Sequence, residues 1–120
     1  MKILIADDDR EYCLSLKRYL KKKNNDYEIS LAFDGREAKR CVESDTYDIV
    51  FIDCDMPYLS GVDLIKTIKK ENPQAKLVMI SGYKDIGEVF AKVAGVDEFL
   101  RKPFMLKQLD GILDKYGCQK

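Results

Sequence analysis

Five short apolar runs, separated by longer stretches with helical spacing, restrict this chain more than any other feature. Lys2–Ala6, Tyr27–Ala32, Asp48–Asp53, Lys76–Ile80 and Asp97–Arg101 read as strands. The third and fourth are continuously apolar rather than alternating, the pattern of strands covered on both faces and hence of a parallel sheet. Helices are expected over Arg10 to about Asn24, Arg36–Ser44, Gly61 to about Glu71, Asp85–Ala94 and Met105–Tyr116. In the first, Tyr12, Leu16, Tyr19 and Leu20 share a face; in the third, Val62, Ile65 and Ile68; in the last, Leu106, Leu109, Ile112, Leu113 and Tyr116. Asp34-Gly35 stops the second strand, and Gly95 is a natural helix cap. Successive β-α units imply an α/β domain with helices on both faces of a parallel sheet.

Composition narrows the function. The chain has 120 residues, enough for one domain, with 46% hydrophobic and 35% charged residues. Its 21 basic and 21 acidic side chains cancel, so no overall basic field exists to hold nucleic acid or an anionic membrane. The longest apolar runs are strand-sized, and the N-terminus lacks a signal-peptide pattern. Cys13, Cys41, Cys54 and Cys118 form no CxxC pair, and histidine is absent. A Ser-His triad and a zinc site with histidine ligands are thereby excluded, and a cytoplasmic protein with free thiols is expected.

In a parallel sheet of this kind ligands bind beyond the carboxyl ends of the strands. The first strand ends in Asp7-Asp8-Asp9, the third in Asp53 with Asp55 beyond it, the fourth in Ser81-Gly82 and the fifth in Arg101-Lys102-Pro103. Taken singly these are ordinary features: Asp9 reads as a helix N-cap, Asp7 and Asp8 as a solvated turn, Ser81-Gly82 as a turn pair. Together they place carboxylates, a hydroxyl and an ammonium at one edge. Crowded carboxylates need a cation, and hard oxygen ligands favour Mg²⁺. A carboxylate can attack phosphorus to form an aspartyl-phosphate, with a metal and a lysine neutralising charge.

KILIADDD, DIVFIDCDMPYLSG, VMISG and GVDEFLRKPF, in that order, resemble the motifs of the receiver domains of two-component response regulators, across essentially the whole chain. The resemblance implies a flavodoxin-like (βα)5 three-layer sandwich of strand order 2-1-3-4-5, and one receiver domain over 1–120 without an output domain. It implies Asp53 as phosphoacceptor. Mg²⁺ would be held by Asp8, Asp53 and the Asp55 backbone carbonyl, with Asp7 acting indirectly. Ser81 and Lys102 would bind the phosphoryl group, Phe99 would be the aromatic switch, and Pro57, Gly61 and Pro103 would be structural, the last after a cis peptide bond. Ser81 stands where threonine is commoner, and Phe99 where tyrosine is, so Phe99 offers no phenolic hydroxyl.

The partners implied are a histidine kinase or histidine phosphotransfer protein. A downstream protein or output domain would be engaged through the face formed by the helix after the fourth strand, the fifth strand and the last helix, and a phosphorylation-dependent homodimer is compatible with that face. Direct nucleic-acid binding, a membrane role and enzymatic turnover beyond self-phosphorylation and dephosphorylation are not expected. Two alternatives share some of these residues. Asp53-Cys54-Asp55 resembles the DxD of haloacid dehalogenase-like phosphatases, but in them it follows the first strand, and proline occupies position 57. A receiver-like interaction module that is never phosphorylated would lack the acceptor, lysine or acid pair, all present here. A flavodoxin proper would need a Ser/Thr/Gly-rich phosphate loop where this chain has three aspartates.

Overall fold

The computed structural model describes residues 1–53, 61–81, 95–102, 104 and 106–117, with the side chains of 61, 62 and 81 left aside. Five strands, β1 (Lys2–Ala6), β2 (Glu28–Ala32), β3 (Ile49–Asp53), β4 (Lys76–Ser81) and β5 (Glu98–Arg101), form one parallel sheet of order β2-β1-β3-β4-β5. The described helices are α1 (Arg10–Lys23), α2 (Gly35–Ser44), α3 (Gly61–Glu71) and α4 (Leu106–Gly117). The expected helix over Asp85–Ala94 lies outside the described residues. Gly95, expected to cap it, has φ +78°, a conformation glycine adopts without strain.

The sheet sorts its side chains by alternation. Leu4, Ala6, Val50, Ile52, Leu77 and Met79 pack with Ala38 and Val42 of α2 and Leu64, Ile65 and Ile68 of α3. Ile3, Ile5, Ile49, Phe51, Val78, Ile80 and Leu100 pack on the other face with Cys13, Leu16 and Leu20 of α1 and Leu109, Ile112 and Leu113 of α4. β3 is therefore covered on both sides, as its unbroken apolar run predicts. The expected faces hold where the side chains are described, which leaves Val62 out, and with additions: Cys13 and Leu64 are also buried. Leu106 departs from expectation. It is the first residue of α4 and 50% exposed, because the helix packs against the sheet only from Leu109 onward.

Two polar devices were not evident as such in the sequence. Asp34 does more than stop β2: it caps α2, accepting from the Glu37 N–H at 2.9 Å, while Glu37 accepts from the Phe33 N–H at 2.7 Å. Asn72, only 4% exposed, accepts from the Tyr47 N–H at 2.7 Å and donates to the Val42 and Asp45 carbonyls at 2.8 and 3.1 Å. It ties the chain leaving α3 to the connection between α2 and β3. Asp34→Ala should lower the unfolding free energy by about 1 kcal/mol through loss of the cap. A lower urea midpoint at unchanged slope is the expected readout; an unchanged midpoint would show that the cap adds nothing.

Candidate functional site

Because all five strands run the same way, their carboxyl ends meet at one edge. β1 and β3 are neighbours at the centre, and the strand order reverses around β1, so the crevice beyond their ends is where a ligand has access. Asp7 follows β1 directly, its N–H donating to the Ala32 carbonyl at 3.0 Å as a continuation of the sheet. Asp53 is the last residue of β3, paired in register with Ile80 of β4. Lys102 follows β5.

The structure brings these groups together. Carboxylate oxygens of Asp7, Asp8 and Asp53 lie within 4.8 Å of one another. Asp7 and Asp53 are 2% and 4% exposed, while Asp8 is exposed. The Lys102 ammonium donates to Asp7 Oδ2 at 3.3 Å and stands 3.6 Å from Asp53 Oδ2. The Asp9 N–H donates to Asp7 Oδ1 at 3.0 Å. Asp7 is thus no solvated turn but a buried acid with ordered partners. Asp9 caps α1, accepting from the Tyr12 N–H at 3.1 Å, as its position suggests.

The electrostatics reflect the crowding. Burial, and next the Asp53 carboxylate, raise the Asp7 carboxyl above its ordinary value, outweighing the Asp9 N–H and Lys102, which lower it. Burial pulls the Lys102 ammonium down, but Asp53 and Asp7 together more than offset it, so the net shift is upward and the lysine stays charged. Three carboxylates face one lysine among the described residues, leaving an excess equal to the charge of one divalent cation. The donor set is all oxygen and close-spaced, which suits a hard cation such as Mg²⁺.

Two neighbours of the cluster come from α1. The Cys13 thiol donates to the Asp7 carbonyl at 3.3 Å and is pushed up to about 12 by burial, so it is an inert packing group. Tyr12 is pushed up to about 12, again chiefly by burial, and presents a neutral ring 5.2 Å from the Lys102 ammonium. Sequence reasoning read Tyr12 only as part of the packing face of α1. Its place at the third position of a helix that starts at the acid triplet is the signal that puts it at the strand-end edge.

Of the other expected site residues, Ser81 ends β4 opposite Arg101, and Phe99 lies in β5 opposite Met79, partly buried against the cluster under α2 and α3. Gly61 opens α3. Asp55, Pro57 and Pro103 lie outside the described residues, as does the expected cis bond.

Known proteins resemble the chain along nearly its whole length. The response regulator MprA of Mycolicibacterium vanbaalenii is 36% identical over 110 residues, which are 91% of this chain and 47% of that protein, so the chain spans about half the length of such relatives. A CheY-like response regulator receiver domain protein from Methanospirillum hungatei superposes with a TM-score of 0.84 at 27% identity, over 99% of this chain and 98% of that one. The response regulator TrrA of Thermotoga maritima, solved in complex with Mg²⁺ and a beryllium fluoride, superposes with a TM-score of 0.82 at 30% identity, over 96% and 97% of the two chains. A response regulator from Burkholderia pseudomallei carrying a phosphorylated aspartic acid gives 0.82 at 25%, over 96% and 65%. Residues 3–114 match the family model of the response regulator receiver domain, and the chain belongs to that family.

Proposed function

We propose that this receiver domain takes a phosphoryl group onto Asp53 from the phosphohistidine of a histidine kinase or histidine phosphotransfer protein. The observation that carries the reading is a nearly buried acid at the end of the central strand, set among two further carboxylates and a lysine. An Asp53 carboxylate oxygen forms the new O–P bond as the P–N bond of the donor breaks, and the departing imidazole takes its proton from solvent. Asp8, Asp53 and the Asp55 carbonyl would hold Mg²⁺ directly and Asp7 indirectly, and the ion would neutralise charge on the phosphoryl oxygens. Lys102, already 3.6 Å from Asp53, pairs with the same oxygens. Water later attacks the acyl phosphate, releasing inorganic phosphate and restoring Asp53.

Output follows as a population shift. The Ser81 hydroxyl bonds the phosphoryl group, Phe99 turns inward, and the face around β5 and α4 changes what it binds: a downstream protein, an output domain or a second copy. That face now holds Glu98 between Lys115 at 2.8 Å and the Tyr116 hydroxyl at 2.7 Å. The domain turns over no external substrate, binds neither nucleic acid nor membrane itself, and works in the cytoplasm; no helix among the described residues is long and apolar enough to cross a membrane. No observation favours the phosphatase reading, because Asp53 ends the third strand rather than the first.

Intact mass after incubation with acetyl phosphate and Mg²⁺ tests the chemistry. One added phosphoryl group, lost when Mg²⁺ is chelated, is expected. Absence of both that adduct and any binding of beryllofluoride, which mimics a stable acyl phosphate, would reject the reading.

A further inference from the structure

Lys102 reaches the acids from an edge strand. In the sheet order β5 is three strand positions from β1, yet the Lys102 ammonium contacts Asp7 beyond β1. A lysine stem is long and flexible, and nothing in its own bonds selects this position. Beside it opens a cavity of about 660 Å³, walled by Asp9, Tyr12, Leu16, Tyr19, Phe104 and Lys102 itself. The ammonium therefore has two places to go: over the carboxylates, or out into that space. The Tyr12 ring borders the same cavity, its centroid 5.2 Å from the ammonium, within range of a cation–π contact. The ring is itself restricted by packing, because the residue is half-buried against the core cluster under α1, and its backbone is held by the Tyr12 N–H donating to Asp9 at 3.1 Å.

We propose that Tyr12 is a positioning residue for phosphoryl transfer, acting through Lys102: its ring holds the ammonium over Asp7 and Asp53 rather than out in the adjoining cavity. This rests on the reading of Asp53 as phosphoacceptor. The aromatic face does the holding, so the phenolic hydroxyl is dispensable.

The test is the rate of phosphoryl uptake from acetyl phosphate with saturating Mg²⁺, followed by intact mass. Tyr12→Phe should match the wild type, while Tyr12→Leu should be slower by about five-fold, in keeping with loss of one partly desolvated cation–π contact. Tyr12→Met is the second non-aromatic variant should the leucine variant be too unstable to assay. In a Lys102→Ala background the leucine substitution should change nothing further. A Tyr12→Leu rate equal to the wild type would overturn the inference. So would an equal slowing by Tyr12→Phe, or a five-fold loss persisting without Lys102, which would mark a structural effect. If the wild type itself takes no phosphoryl group, the functional reading fails instead, and the two failures are distinct.

Discussion

Asp53→Asn should abolish phosphoryl uptake from acetyl phosphate, with no added mass under conditions that label the wild type fully. The substitution keeps the size and shape of the side chain, so the sheet and the Lys102 position should survive. It replaces a carboxylate nucleophile with an amide that is a poor one, and a loss of at least about a thousandfold is expected. The neighbouring acids are weak substitutes. Asp7 is buried, bonded to Lys102 and to the Asp9 N–H, and raised toward its protonated form. Asp8 is exposed and lies beyond the end of β1, not on the strand that carries Asp53. An asparagine variant that still gained one phosphoryl group would move the acceptor to one of these and overturn the assignment of Asp53.

Asp7→Asn should make the metal-free domain more stable and remove much of its response to Mg²⁺. Burial and the nearby Asp53 disfavour the Asp7 charge in the folded state. A carboxyl raised on folding weakens the fold increasingly as pH climbs from its unfolded value through its folded one, and the full penalty holds above that. Asparagine keeps an acceptor for the Asp9 N–H and carries no charge. A gain near neutral pH is expected, shrinking as the solution is acidified toward the ordinary aspartate value. The difference between wild type and variant is the quantity to follow, since Glu98, held low by its hydrogen bonds to Lys115 and Tyr116, contributes the opposite slope. Adding Mg²⁺ at about a hundred times its dissociation constant should stabilise the wild type by about 2.7 kcal/mol and the variant far less. Melting curves with and without Mg²⁺ decide it: a metal-free variant that melts below the wild type would show that Asp7 is held by favourable contacts rather than strained by charge.

The architecture could be read from the chain because its signals are local. The continuous runs Ile49–Ile52 and Leu77–Ile80 can be buried on both faces only in a covered parallel sheet, and the helical stretches between them supply the cover. Chain direction then carries Asp7, Asp53, Ser81 and Lys102 to one edge without further information, since parallel strands share an end. What stayed hidden depends on partners distant in sequence or on where a helix first meets the sheet. Leu106 has the spacing of a core residue but sits before α4 reaches the sheet, so it remains exposed. Asn72 looks like an ordinary turn residue until the fold sets it against carbonyls 27 and 30 positions away.

The amino-acid order by itself determined the sheet, the layering and which residues meet at its carboxyl edge, because periodicity and strand direction are properties of the chain. Only the tertiary structure decided their states. Asp7 is buried beside Asp53, while Asp8 faces solvent. Lys102 crosses from an edge strand to reach the acids and lies against Tyr12, a residue 90 positions earlier in the chain. Burial and charge proximity are sums over the whole packed domain, and no local stretch of sequence contains them.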